Sequence, residues 1–228
     1  MGASVAFLGG AALAFCQWLI IFYAPGEREM GLAQKIFYLH LPCAWWGLAS
    51  FFVVFLASAA YLLRPRAWLA WLARAACETG LVLAALALAT GMIWGRLAWG
   101  VWWTWDPRLT ATLVMCLIYG GYMALAALPM PQARKAPACA VLGVAAFLDV
   151  PLVFFSARLW RSIHPAVFAT GGGLDADMAW TLGACLAALG LFWGALLAIR
   201  ARQLALEAAI SSLEGLRMAR TLASMEDA

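Results

Sequence analysis

Six long apolar runs dominate this 228-residue sequence and leave it few possible folds. Crossing roughly 30 Å of hydrocarbon takes about 20 mainly apolar helical residues. Runs of that length occupy residues 5–23, 36–63, 75–94, 109–128, 137–156 and 178–199. They are continuous and do not alternate in ten-residue strands, so helices rather than a barrel satisfy the backbone hydrogen bonds within lipid. We therefore predict an all-α integral membrane protein with six transmembrane helices.

The composition supports a membrane location. Hydrophobic residues make up 66% of the chain and charged residues 11%, whereas soluble domains lie nearer one half and one quarter. Residues 1–199 are predicted to form one six-span domain. Residues 200–228 combine charges with Leu and Ala at helical spacing, which predicts a cytoplasmic helical tail.

Basic residues in the connections predict the orientation. The even connections and the tail hold nine, and the odd connections hold six. The first group is Arg64, Arg66, Arg74, Arg134, Lys135, Arg200, Arg202, Arg217 and Arg220, and the second is Arg28, Lys35, Arg96, Arg108, Arg158 and Arg161. The positive-inside rule therefore puts both termini in the cytoplasm. We attribute the net charge of +4 partly to the basic residues that set this topology and partly to residues that bind an anionic ligand. We therefore predict no nucleic-acid partner.

The most unusual stretch is residues 94–105, WGRLAWGVWWTW, which we call the tryptophan segment. It contains five of the thirteen tryptophans and is followed by Asp106, Pro107 and Arg108. Its glycines and polar residues are ill suited to lipid, so we place it at a membrane interface against a large flat ligand. A plain interfacial belt is the alternative for any tryptophan, and it is our interpretation of the pair Trp45 and Trp46.

Only two histidines are present, His40 near the start of the second run and His164 after the fifth. With six spans, the first, third and fifth connections share one side of the membrane. His40, the tryptophan segment and His164 fall in or beside those three connections. The unusual chemistry is therefore predicted to converge on one membrane face.

Two imidazoles on one face suit heme, whose porphyrin already supplies four equatorial nitrogens. Zinc sites usually take three or four protein ligands. Indole faces can pack on a macrocycle, and the cations Lys35 and Arg108 are candidate anchors for its propionates. Asp106 is a candidate to orient Arg108 or a ring N–H, or to repel a misplaced propionate. On composition alone, the histidines remain equally open to a structural, hydrogen-bonded role.

Two carboxylates fall inside apolar runs, where ionisable groups are costly. Glu78 lies near the cytoplasmic end and can reach the interface. Asp149 precedes Pro151, and we interpret it as part of a kink. The six cysteines are scattered and form no CxxC pair, so they are interpreted as packing residues and no covalent heme attachment is predicted.

Several segments carry a family resemblance. WGRLAWGVWWTWDPRLT resembles the WWD signature of heme-handling proteins. The chain as a whole is similar to the heme exporter protein C (CcmC) family of cytochrome c maturation. The resemblance covers nearly the full length and includes FYLHLP in the second run and SARLWRSIHP after the fifth.

The resemblance implies a concrete function. Proteins of that family hold heme b as a transient cargo at the periplasmic face of the bacterial inner membrane and deliver it to the heme chaperone CcmE. The ATP-binding cassette pair CcmA and CcmB and the small protein CcmD complete the assembly. The role is heme handling for c-type cytochrome biogenesis rather than enzymatic catalysis. The open alternatives are a bis-histidine b-type membrane cytochrome and a transporter subunit without heme.

The resemblance also implies roles for individual residues. His40 and His164 match the axial heme ligands, and Lys35 falls where a basic residue precedes the first histidine. The WWD motif, expected as a loop at 94–110 that serves as heme platform and chaperone-docking surface, is matched by Trp94, Gly95, Trp99, Gly100, Trp102, Trp103, Trp105, Asp106 and Arg108. Pro107 stands where a small residue is expected, and Asp149 where an uncharged polar residue is more usual.

Overall fold

Helices form almost the whole of the described chain. The computed structural model describes residues 2–26, 30–160 and 174–226. The helices are α1 (Gly2–Trp18, extended by a π-helical turn Leu19–Tyr23), α2 (Phe37–Leu63, preceded by a 3-10 helix Leu32–Ile36), α3 (Ala67–Trp99), α4 (Pro107–Ala127), α5 (Gln132–Ala146), α6 (Asp149–Leu159) and α7 (Ala176–Glu226).

Six helical stretches in the described part are long and apolar enough to cross a membrane. They are Ser4–Tyr23, Leu32–Leu63, Ala67–Trp99, Pro107–Ala127, Gln132–Ser156 and Ala176–Leu222. Each contains most or all of one predicted run, in the same order. The prediction of six helices long and apolar enough to span a membrane is thus confirmed, while their topology and the side on which the termini lie stay predictions.

The fifth span is one apolar run but two helices. α5 ends at Ala146 and α6 begins at Asp149, and the N–H groups of Phe147, Leu148 and Val150 all bond three residues back. Pro151 explains the break, because a proline ring clashes with the carbonyl four residues earlier and donates no hydrogen bond to it. That carbonyl belongs to Phe147. Asp149 therefore begins α6 at this kink, and the role of its side chain stays a prediction.

The bundle is built around α2, which packs along α3 and also contacts α5 and α7. Small residues allow the close approach, as expected between helices in lipid. A Cβ on Gly80 of α3 would lie 2.8 Å from the Cβ of Ser50 on α2. The neighbouring Phe51 ring stacks on Tyr119 of α4 with a centroid separation of 3.8 Å. These contacts fix the registers of α2, α3 and α4.

Two tryptophans join α2 to α7. Trp46 Nε1 donates to the Leu186 carbonyl at 2.9 Å, and Trp193 Nε1 donates to Ser50 Oγ at 2.8 Å. The two indoles stack 4.7 Å apart. Trp46 thus belongs to a helix seam, contrary to the belt interpretation, whereas its neighbour Trp45 is exposed as a belt residue should be.

An ion network joins α3 to α7. Glu78 accepts from Arg74 at 3.1 Å and from Arg200, which also pairs with Glu207 at 3.0 Å. Arg200 lies just beyond the predicted sixth run, so α7 continues past the apolar part as one helix to Glu226. Glu78 is therefore a structural anchor between two long helices.

Candidate heme-handling site

His40 lies in the first turn of α2 and faces α3. Its Nδ1 is 2.9 Å from the carbonyl oxygen of Ala87 and 3.2 Å from Thr90 Oγ1. The Thr90 hydroxyl itself donates to the Leu86 carbonyl at 2.7 Å. A carbonyl only accepts, and this hydroxyl has already placed its proton elsewhere. Nδ1 is therefore the protonated nitrogen, and the lone pair of the neutral ring lies on Nε2.

This tautomer is the one that suits coordination of a metal. Metal-binding histidines almost always donate their second ring N–H to a carbonyl or carboxylate, which fixes the ring and raises its basicity. The Ala87 carbonyl performs that function for His40. The half-buried ring is thereby prepared as an Nε2 ligand by contacts from a neighbouring helix.

The His40 ring rests on the first tryptophan of the tryptophan segment. The centroids of His40 and Trp94 are 5.9 Å apart, and Trp94 also makes an edge contact with Phe37 at 6.0 Å. Gly91 leaves the space for the imidazole, since a Cβ there would lie 3.0 Å from His40 Cε1. The structure thus brings His40 and the tryptophan segment to the same end of the bundle.

The first half of the tryptophan segment is helical, in contrast to the loop expected at 94–110. α3 continues to Trp99 and is ended by Gly100, whose φ of +76° is the left-handed conformation that favours glycine. The Gly100 N–H bonds the Arg96 carbonyl at 3.2 Å. Gly95 packs beneath this turn, because a Cβ there would lie 3.4 Å from the carbonyl oxygen of Val101.

Asp106 begins α4 as its N-cap. Its carboxylate accepts from the Arg108 backbone N–H at 2.9 Å, and its own carbonyl accepts from Thr110 at the same distance. Pro107 occupies the first helical position, where its fixed φ and missing N–H are favourable. The departure at Pro107 is therefore compatible with the motif, and Asp106 orients the backbone of Arg108.

The remaining tryptophans present aromatic surface to the outside. Trp102 is 56% exposed and Trp105 is 77% exposed, while Trp103 meets Trp105 edge to face at 5.7 Å. Beside them is a small open cleft of about 250 Å³. It is lined by Gly91, Gly95, Trp99, Val101, Trp102, Trp103, Thr104 and Leu109. The segment thus offers exposed indole faces around a cleft that also includes Gly91, the glycine beside His40.

The structure tests the remaining candidate residues, Lys35, Arg108 and His164, to different extents. The Lys35 ammonium donates to the Ile21 carbonyl at 2.8 Å, so it closes the end of the π-helical turn rather than pointing to Trp94. Arg108 lies half-buried in the first turn of α4. His164 lies outside the described residues. The structure therefore brings His40 together with the tryptophan segment and makes Asp106 the N-cap that follows this segment. It leaves the axial pair and the propionate anchors as proposals.

Three residues that contact His40 were missed in the sequence. Thr90 and Gly91 did offer a signal, being a polar residue and a glycine together in an otherwise apolar run one turn before Trp94. Ala87 offered none, because it acts through its backbone carbonyl.

Comparison with known proteins decides the family. The sequence profile described as heme exporter protein C (CcmC) matches residues 2–214, nearly the whole chain. The chain belongs to the heme exporter protein C family. It is accordingly a multi-pass membrane protein of a family that handles heme in cytochrome c biogenesis.

Individual heme exporter C proteins agree with this assignment. The chain is 38% identical to that of Bradyrhizobium diazoefficiens over 157 residues, which are 68% of this chain and 59% of the relative. It is 34% identical to that of Rhodobacter capsulatus (79% of this chain, 76% of the relative) and 33% identical to that of Paracoccus denitrificans (79% and 77%). The match to the Bradyrhizobium protein thus spans less than two thirds of that relative's length.

Proposed function

We propose that this protein holds heme b as a transient cargo at the periplasmic face of the bacterial inner membrane and delivers it to the heme chaperone CcmE. In this proposal His40 and His164 are the axial ligands, and the tryptophan segment is the platform on which the heme lies. CcmA, CcmB and CcmD are the partners in the assembly. Both termini then lie in the cytoplasm.

The observation that carries the proposal is the hydrogen bonding of His40. Donation from Nδ1 to the Ala87 carbonyl leaves Nε2 as the coordinating nitrogen. The family's heme chemistry and the ligand-ready imidazole therefore point to the same residue.

The surroundings of His40 fit a large flat cargo. Trp94 is only 6% exposed, and its Nε1 has no partner within the described residues. Trp102 and Trp105 expose their rings instead. Indoles offer apolar area together with one polar N–H, which suits a porphyrin with an apolar face and charged propionates.

Two cations are proposed as propionate anchors. Arg108 stands in the first turn of α4, where the positive end of the helix dipole adds to its charge. Lys35 is proposed to leave the Ile21 carbonyl when a propionate is near, since an ammonium binds a carboxylate more strongly than a neutral carbonyl.

Capture of the chaperone tests delivery. Purified protein, with and without heme, is immobilised and mixed with purified CcmE. We expect capture from the heme-loaded protein only. In a Trp102→Ala, Trp105→Ala variant we expect capture to fall at least tenfold, since exposed tryptophans at an interface commonly contribute about 1–2 kcal/mol each.

Trp68→Ala is the matched control, because Trp68 is 53% exposed but lies in the first turn of α3, at the opposite end of that helix. It should capture the chaperone like the unaltered protein. Equal capture with and without heme contradicts heme-dependent delivery.

A further inference from the structure

A second cleft lies at the end of the bundle opposite His40. It is a shallow, open cleft between the C-terminal ends of α2 and α4 and the N-terminal ends of α3 and α5. Its walls are largely apolar and include Leu69, Ala73, Ala126 and Ala136. Nothing in the proposed heme chemistry makes use of this cleft.

The charged residues that line the cleft are both cations. Arg74 comes from α3 and Lys135 from α5. Arg74 also pairs with Glu78, which Arg200 neutralises from the other side. Lys135 Nζ donates to the neutral Leu128 carbonyl at 3.0 Å, and no ion pair of Lys135 occurs within the described residues. The cleft is therefore electropositive.

Two helix N-termini add to this positive potential. Leu69 and Ala70 belong to the first turn of α3, and Gln132 is the first residue of α5. Neither helix has a side-chain N-cap or an acidic residue in its first turn. The partial positive charge at each end is thus left for an external anion.

We propose that this cleft binds an anionic phospholipid, with its phosphate between Arg74, Lys135 and the two helix N-termini. The third apolar run begins at residue 75, immediately after Arg74, which puts the cations at the depth of lipid headgroups. The apolar walls then contact the part of an acyl chain that lies nearest the headgroup. Basic clefts between transmembrane helices are typical sites for acidic headgroups, and a free phosphate has no use for the apolar walls.

Lipid retention tests the proposal. The full chain is purified from detergent containing equal phosphatidylglycerol and phosphatidylcholine, and bound lipid is counted by native mass spectrometry. We expect phosphatidylglycerol to be enriched. In an Arg74→Gln, Lys135→Gln variant, the preference for phosphatidylglycerol should fall about fivefold for each cation removed. The control is an Arg64→Gln, Arg66→Gln variant, which loses two exposed charges from the same membrane side and should retain the preference.

A second variant, Gln132→Glu, tests lipid binding without weakening the fold. An added carboxylate in the first turn of α5 favours the helix but repels a phosphate in the cleft, so the thermal midpoint without lipid should hold or rise while phosphatidylglycerol retention falls. Ala133→Glu places the same charge one residue away, outside the lining, and should retain more lipid. Equal retention of both lipids by the unaltered protein overturns the proposal. Full competition by millimolar inorganic phosphate overturns the assignment to lipid.

Discussion

At the residue scale, the site depends on how one imidazole is held. His40 reaches its position because Gly91 has no side chain and because Ala87 and Thr90 accept from Nδ1. These are backbone and small-residue effects. Small changes at neighbouring positions should therefore alter heme binding without touching the ligand itself.

Gly91→Ala is the most direct such change. The new Cβ lies 3.0 Å from His40 Cε1, so the ring must shift away from its two acceptors. Loss of such supporting contacts typically lowers metal affinity 10–100-fold, and we expect heme affinity to fall by about that factor in a spectroscopic titration. Gly183→Ala, where a Cβ meets nothing within 4 Å, is the control. Equal affinity in the two variants shows that Gly91 does not position His40.

Two substitutions at Asp106 distinguish its role in helix capping from the effect of its negative charge. Asp106→Ala removes the acceptor of the Arg108 N–H and should destabilise the protein by about 1 kcal/mol, measured by thermal unfolding in detergent. Asp106→Asn keeps an acceptor and should retain both stability and heme loading. Loss of heme loading from an equally stable Asn variant contradicts a role limited to capping and places the Asp106 carboxylate in the heme site.

At the element scale, the six helices could be predicted because each needs its own apolar run in lipid. Their ends could not. α3 begins at Ala67 rather than at residue 75 and continues to Trp99, since hydropathy reports the thickness of the lipid and a helix satisfies its own backbone beyond it. The contribution of Trp46 to the α2–α7 seam was missed for a related reason, because an interfacial and an interhelical tryptophan look alike in sequence.

A substitution at Glu78 tests the ion network that joins α3 to α7. Glu78→Gln removes the charge that Arg74 and Arg200 share and leaves Arg200, which is 28% exposed, without its partner on α3. We expect a loss of about 1–3 kcal/mol in unfolding free energy, below the 3–5 kcal/mol of a fully buried pair. Glu214→Gln on the exposed tail should leave the thermal midpoint unchanged. Equal midpoints for both variants contradict an anchoring role for Glu78.

At the scale of the whole molecule, the two ends of one bundle carry different chemistry. One end combines His40 with exposed indoles, and the other combines Arg74 and Lys135 with two helix N-termini. The order of the connections in the sequence predicted that His40 and the tryptophan segment lie at one end, and the placing of His164 beside them stays a prediction. The second end was not predicted, because it depends on which helices adjoin in space, and no run of the sequence shows that.

The central claim is that His40 ligates heme, and a heme titration followed by absorption spectroscopy tests it most directly. The unaltered protein should give the low-spin spectrum of two nitrogen ligands. His40→Ala should lose that spectrum and regain it when free imidazole is added, because the cavity left by the ring admits the ligand. An unchanged low-spin spectrum in a His40→Ala, His164→Ala double variant contradicts the account.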